Sequence, residues 1–180
     1  MSSICGYVER GLGYMNNERP KLQIPKTKGE WLLDILGTAS FLAAFGYLII
    51  SWGSLPEEIP GHFNAAGEVD RWGSRYEILI LPIISVLLWG GMSLLEKKPH
   101  IHNYPARLNE NNAHAFYVIS RKVANMLKNA CLFLLSALII QTVRVALGDA
   151  QSLGSWFLPL LLILTIVPIV WAMIAQSRIK

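Results

Sequence analysis

The sequence predicts an all-α protein, a four-helix transmembrane bundle with an ordered, outward-facing loop between helices 1 and 2. Its composition is 53% hydrophobic and 16% charged, whereas an ordinary soluble domain has about 25% charged residues. Four separate apolar runs have roughly the 20 residues that a helix needs to cross about 30 Å of hydrocarbon. Lysine and arginine also collect on one side of these runs, which is typical of a membrane bundle.

The four apolar runs place the spans at about residues 31–52, 78–95, 127–147 and 156–175. The polar stretches before and between them define the rest of the chain. Residues 1–26 are expected to form a basic cytosolic leader, followed by one membrane domain at 27–180. Within that domain we expect an outer loop at 53–76 and a cytosolic connection at 96–126.

Residues with helix-capping chemistry mark the starts of the first two helices. Thr27 followed by Glu30 fits a capping box, in which the hydroxyl and the carboxylate each accept a hydrogen bond from an unpaired backbone amide. Ser74 followed by Glu77 repeats the pattern before the second span. Both helices are therefore expected to begin before the lipid does.

The third helix is expected to be the longest. Asn109 can cap its first turn, and Glu110 suits the positive end of the helix dipole. Gly148 suits its C-terminal end, which gives a helix of about 60 Å, twice the hydrocarbon thickness. Its first half should project into the cytosol, and Ser155 should cap the fourth helix after a short loop.

A few residues in the spans are unusual for a hydrocarbon environment. Asp34 and Arg144 lie near span ends, where a charge costs less than the roughly 2.5–3.5 kcal/mol it costs at the bilayer centre. Both are expected to snorkel to the headgroups. Arg144 has an alternative, a pairing with Glu77 or another acid that fixes the outer loop to the bundle. Pro82 and Pro168 each remove a backbone donor, so we expect a kink at each.

The distribution of positive charge predicts the orientation. Thirteen lysines and arginines lie in the leader, the second connection and the tail, whereas Arg71, Arg75 and Arg144 lie on the opposite side. The positive-inside rule therefore predicts a plasma-membrane protein with both termini in the cytosol. The basic segments favour contact with the lipid bilayer rather than nucleic acid. Oligomerisation stays open, because Gly37 and the pair Gly90-Gly91 could permit close helix contacts.

The outer loop, LPEEIPGHFNAAGEVDRWGS, differs in composition from its surroundings. Prolines stiffen it and glycines allow positive φ, so an ordered loop is expected, with a small hairpin turned at Gly67. The hairpin should bring together four candidate residues for binding a ligand or a partner: His62, Asn64, Asp70 and Trp72. Residues expected to hold the loop in place are Pro56, Pro60, Gly67, Gly73, Ser74, Glu77 and Arg144.

The chemistry of the loop allows several functions. His62 with Asp70, Glu57 and Glu58 could bind Zn²⁺, although the spacing matches no established ligand motif. A structural alternative has His62 and Asn64 bonding the loop backbone and Asp70 pairing with Arg71 or Arg75.

Catalytic residues are not evident from the sequence. No nucleophile stands at a recognisable spacing from a base, so no catalytic residue, metal ligand or cofactor is predicted. The favoured function is a noncatalytic membrane protein whose outer loop binds a peptide, a small ligand or a partner membrane protein. The alternatives are a metal-dependent hydrolase at the outer surface, using His62 and its acidic neighbours, and a small transporter subunit. Cys5 and Cys131 are expected to be free thiols.

The run from Leu55 to Ser74 also resembles a family signature. Its IPxHFNxxGxxDRWGS spacing is similar to that of the prokaryotic membrane domain-of-unknown-function family sixteen-forty-eight, the N-terminal domain of SdpI-type immunity proteins. Similar pieces occur at Arg19–Lys28, His102–Pro105 and Val143–Gly148. The resemblance implies a short, four-span member that lacks the additional spans of the full-length immunity proteins.

Overall fold

A computed structural model describes residues 19–180. Most of the expected leader, including Cys5, lies outside that range, and Cys131 is a free thiol within it. Four helices of the described chain are long and apolar enough to cross a membrane, which confirms the predicted all-α bundle. They are α1 (Lys28–Ser51), α2 (Ile80–Lys97), α3 (Ala113–Ala146) and α4 (Phe157–Ser177).

The first predicted helix cap is confirmed and the second differs. Thr27 Oγ1 accepts a hydrogen bond from Glu30 N (3.4 Å), and Glu30 Oε2 accepts one from Thr27 N (2.7 Å). Ser74 Oγ instead accepts from Tyr76 N. The cause is a 3₁₀ turn, Arg75–Leu79, which separates Ser74 from the start of α2.

The third helix begins later than predicted. Asn109 Oδ1 accepts hydrogen bonds from the backbone amides of Asn111 and Asn112, so Asn109 closes a separate turn. α3 therefore begins at Ala113, with Asn112 as its N-cap. Its 34 residues give a length of about 51 Å, still well beyond the hydrocarbon thickness.

The turn between α3 and α4 is only partly as predicted. Gly148 has φ +82°, and Asp149 N donates to Arg144 O (2.8 Å), so the glycine ends α3 as expected. The N-cap of α4 is Trp156 and not Ser155.

Of the two prolines expected to kink a helix, only one removes a backbone hydrogen bond from its helix. Pro82 is the third residue of α2, where the backbone amide needs no partner within the helix. The physical cause expected for a kink at Pro82 is therefore absent. Pro168 lies inside α4 and does remove a helical hydrogen bond.

α3 lies at the centre of the bundle. α1, α2 and α4 each pack along it, with only marginal contacts among themselves. Half of the most apolar stretch of α3 is buried, against 11–17% for the other three helices. The outer helices thus present large apolar faces, which suit hydrocarbon and not water. α1 and α2 also stay apart, which leaves a groove between them.

A two-stranded antiparallel sheet connects α1 and α2. β1 (Glu58–Phe63) pairs with β2 (Val69–Ser74), with Glu58 opposite Ser74 and Phe63 opposite Val69. The predicted hairpin is therefore present. We call the end of the bundle that carries it the hairpin end, and the end with residues 19–27 and 178–180 the terminal end.

Ile59 anchors the hairpin to the bundle. Its side chain is fully buried in an apolar cluster. The cluster draws residues from α1, the segment before β1, the 3₁₀ turn and α3, namely Ala44, Leu48, Leu55, Ile78, Ile139 and Val143. Burying an isoleucine stabilises a fold by roughly 1.5–3 kcal/mol. The hairpin therefore has a fixed position over α3.

Candidate functional site

The tip of the hairpin is held by Asn64 and Gly67. Asn64 Oδ1 accepts hydrogen bonds from Ala66 N (2.9 Å) and Glu68 N (3.0 Å). Gly67 has φ +83°, as the predicted turn requires, and its carbonyl accepts from Leu153 N (2.7 Å) in the α3–α4 loop. The tip is thus docked on the neighbouring loop.

His62 pairs with Asp70 across the two strands. His62 Nδ1 lies 2.7 Å from Asp70 Oδ1, and the two side chains are 63% and 43% exposed. The alternative pairing of Asp70 with Arg71 or Arg75 is therefore not present. Arg75 instead lies over the rings of Trp52 and Tyr76.

Arg71 and Glu77 form the second charged pair of the hairpin. Arg71 donates to Glu77 Oε2 (2.8 Å) and to Gly61 O (2.8 Å). The adjacent Glu77 carboxylate raises the pKa of Arg71 above its ordinary value. Gly73 does not have positive φ, contrary to expectation. Its role is spatial, because a Cβ there would lie 2.3 Å from Glu77 Oε1.

The alternative role of Arg144, a pairing with Glu77, is not present in the structure. Arg144 is exposed and donates to Gln141 Oε1 (3.2 Å) on its own helix. Glu77 is bound to Arg71. Arg144 thus does not tie the loop to the bundle in this structure.

A cavity of about 350 Å³ lies between the hairpin and the bundle; we call it the hairpin cavity. Four polar side chains line it, those of His62, Arg71, Glu77 and Thr142. Its other walls are mostly apolar and come from β1, the 3₁₀ turn before α2, α2, α3, the α3–α4 loop and α4, including Phe63, Ile78, Leu81, Leu138, Leu153 and Phe157. An apolar group with a hydrogen-bonding end fits such a lining.

The four predicted binding residues take different positions around this cavity. His62 lines it, and Asp70 contacts His62 from the side. Asn64 holds the turn, and Trp72 lies opposite Pro60 in the sheet with 53% of its surface exposed. Sequence reasoning had treated Arg71 only as a partner for Asp70, because a linear spacing does not show which strand residues face the bundle.

A second cluster, which sequence analysis missed, lies at the terminal end. We call it the polar clamp; its members are Lys26, Glu30, Asp34, Glu96, Arg121, Asn125, Lys128 and Asn129. Lys128 Nζ lies 2.8 Å from Asp34 Oδ1 and 2.7 Å from Glu96 Oε2. Lys26 Nζ lies 2.5 Å from Asp34 Oδ2 and 2.9 Å from Glu96 Oε1. The four groups form a closed ring that joins α1, α2, α3 and the segment before α1.

The ring is mostly buried, and its charges balance. Lys128 and Glu96 are each 1% exposed, and Asn125 Nδ2 donates to Asp34 Oδ1 (2.8 Å) and to Glu96 Oε1 (3.2 Å). Buried ions are tolerated when they are paired and hydrogen-bonded in this way. Partial burial alone would lower the pKa of Lys26, but its hydrogen bonds to Asp34 and Glu96 outweigh that effect and raise the pKa.

Arg121 ties the segment before α1 to the clamp. It lies 2.8 Å from Glu30 Oε2 and donates to the carbonyls of Ile24 (2.5 Å) and Pro25 (2.6 Å). Its side chain is 4% exposed. The segment before α1 and the first turn of α1 are therefore held against α3 by these hydrogen bonds and a buried ion pair.

The expectation that Asp34 snorkels to the headgroups is wrong, because it is bonded inward. A signal for this was present in the sequence: Arg121, Asn125, Lys128 and Asn129 recur every three or four residues and so share one face of a helix. Charged and amide groups on one face of a membrane helix favour an inward, paired position.

Comparison with known proteins finds a similarity in one stretch of the chain. Residues 39–86 match the family described as Domain of unknown function (DUF1648). The match covers the second half of α1, the hairpin and the start of α2. The polar clamp lies outside it.

One relative is an uncharacterized protein of Archaeoglobus fulgidus, 40% identical over a stretch that covers 33% of this chain and 37% of that protein. The chain thus spans little more than a third of that relative's length. No solved structure matches the chain. The likeness to SdpI-type immunity proteins stays a prediction.

Proposed function

We propose that this multi-pass membrane protein, whose residues 39–86 match the DUF1648 family, is noncatalytic and binds a ligand in the hairpin cavity. The cavity itself is the observation that carries the proposal. Its volume of about 350 Å³ falls within the roughly 300–1,000 Å³ of small-molecule sites. Its walls are mostly apolar, with a few polar groups, as in such sites.

The charges around the cavity favour a ligand whose polar end is neutral. Arg71 already contacts Glu77, and His62 already contacts Asp70. A charged ligand group would have to displace a side chain from one of these two pairs. A hydrogen-bonding but uncharged end can instead use the free acceptor and donor positions that these four side chains retain.

The proposal places the hairpin outside the plasma membrane and both termini in the cytosol. The thirteen-to-three distribution of lysine and arginine supports this orientation. A ligand could then reach the cavity from the outer surface or from the adjacent lipid.

A partner membrane protein is the second candidate occupant of the hairpin end. Trp72 and Tyr76 support it, because they are 53% and 60% exposed and such aromatic residues often dominate binding interfaces. A metal-dependent hydrolase has less support. Among residues 19–180, no group of three His, Cys, Asp or Glu side chains is placed to hold a metal ion.

A transporter subunit has one feature in its favour. Ionisable groups within membrane spans often mark ion pathways, and five of the six ionisable groups of the polar clamp lie on the spanning helices. Their charges are mutually paired, however, which also suits a purely structural clamp. Ion or substrate flux in proteoliposomes would discriminate between these functions.

Native mass spectrometry of protein released from its own membrane tests the ligand proposal. Leu138 lines the hairpin cavity, so Leu138→Trp should fill part of it. We expect the wild-type protein to retain a molecule of defined mass that Leu138→Trp loses. Leu42→Trp is the matched control, because Leu42 is exposed in the groove between α1 and α2. Equal occupancy in wild type and Leu138→Trp would refute the proposal.

A further inference from the structure

We propose that the groove between α1 and α2 binds an anionic phospholipid, with acyl chains between the helices and the phosphate beside Lys26 and Lys97. This groove encloses about 900 Å³ over α3; we call it the α1–α2 groove. Its apolar walls include Trp31, Ile35, Leu42 and Trp89. It is separate from the hairpin cavity and is not part of the proposed function.

Positive charge is in excess at one end of the groove. Three lysines line it, Lys26, Lys97 and Lys128. Asp34 and Glu96 balance the charges of Lys26 and Lys128 within the polar clamp. The excess positive charge is that of Lys97, which makes no ion pair within residues 19–180. An apolar groove that ends in uncompensated positive charge is complementary to a phospholipid with a singly negative headgroup.

Lys26 and Lys97 stand where the surroundings of the groove become more polar. A second cavity, of about 230 Å³, shares both lysines, and its other lining residues are three polar ones, Gln23, Glu96 and Arg121, and three apolar ones, Leu22, Ile24 and Pro99. Lys26 Nζ also lies 5.3 Å from the centre of the Trp31 ring. Tryptophan and lysine together are typical of the membrane–water interface. Both lysines are therefore placed at the depth of a lipid headgroup.

The observations favour a lipid over the other occupants. A second copy of the chain would cover the apolar walls but would not use the charged end. Free phosphate would use the lysines but not the apolar walls. Basic pockets between membrane helices bind anionic headgroups in general, and a phospholipid uses both parts of this groove.

The test uses the full chain in nanodiscs of phosphatidylcholine with and without phosphatidylglycerol. Native mass spectrometry should show preferential retention of phosphatidylglycerol by the wild type. Lys97→Gln should weaken retention about fivefold, which corresponds to a contribution of roughly 1 kcal/mol per lysine near a membrane surface. Leu42→Trp, which fills the groove, should also weaken it.

Two matched variants serve as controls. Lys98→Gln removes an exposed neighbouring charge that does not line the groove, and Leu138→Trp alters the hairpin cavity; both should retain the lipid. The proposal is overturned if Lys97→Gln and Lys98→Gln weaken retention equally. It is also overturned if inorganic phosphate stabilises the protein as much as phosphatidylglycerol does, or if Leu42→Trp dissociates a dimer and leaves lipid retention unchanged.

Discussion

Gly37 allows α1 to approach α3 closely. A Cβ at this position would lie 2.4 Å from Asn129 Oδ1, and Asn129 Nδ2 donates to Asp34 (2.9 Å). We expect Gly37→Ala to lower the Tm in detergent through overpacking, which typically costs about 1–3 kcal/mol. Gly46→Ala in the same helix should not, because nothing lies within 4 Å of its Cβ. Equal effects of the two changes would contradict this account of the α1–α3 contact.

Gly67 is required for a different reason, its backbone conformation. Its φ is +83°, and a Cβ would lie 3.0 Å from the backbone of Gly154. Gly67→Ala should destabilise the fold by roughly 1–3 kcal/mol, measured as a lower Tm. Gly53→Ala, which meets open space, is the control. A Gly67→Ala protein as stable as Gly53→Ala would show that the tip does not need this turn.

A substitution of His62 distinguishes a role in binding from a role in the structure of the hairpin. Because its side chain is 63% exposed, we expect His62→Ala to change stability by no more than about 0.5 kcal/mol, as most surface substitutions do. It should nevertheless reduce occupancy of the hairpin cavity in native mass spectra. A fall in Tm comparable to that of Gly67→Ala, with occupancy unchanged, would assign His62 to the scaffold.

Among the helices, the polar clamp makes the sharpest prediction. Lys128→Met leaves Asp34 and Glu96 with Lys26 as their remaining cation, and breaking a buried ion pair in this way costs about 3–5 kcal/mol. Adding Glu96→Met removes the excess carboxylate and leaves the Lys26–Asp34 pair. The double variant should therefore melt at a higher temperature than the sum of the two single losses implies. Additive losses would mean that the ring does not act as a unit.

The sequence predicted the helix ends that are fixed by residues close together in the chain. Thr27 with Glu30 and Gly148 each act through neighbours along the chain, so their roles could be predicted. The prediction that Asn109 caps the third helix was wrong because its side chain closes a separate turn. The pairing of Arg71 with Glu77 was missed for another reason: it joins β2 to the 3₁₀ turn that follows it, and the sequence did not predict that turn.

For the whole bundle, the sequence predicts the number of spans better than their arrangement. Each apolar run is long enough to cross the bilayer, but apolar packing does not distinguish lipid from another helix. The central position of α3 was therefore not predicted. The polar residues from Arg121 to Asn129 on that helix were the available signal, since such groups favour an inward position. The hairpin cavity could not be predicted, because residues from both strands, three helices and two connecting segments form it.

The orientation of the bundle is the claim on which the proposed function depends most directly. With Cys5 and Cys131 replaced, single cysteines at Ala66 on the hairpin tip and at Glu110 before α3 occupy exposed positions at opposite ends. An impermeant thiol reagent applied to intact cells should label the cysteine at Ala66, and should label the one at Glu110 only after permeabilisation. Labelling of Glu110Cys in intact cells, with Ala66Cys protected, would contradict an outward-facing hairpin.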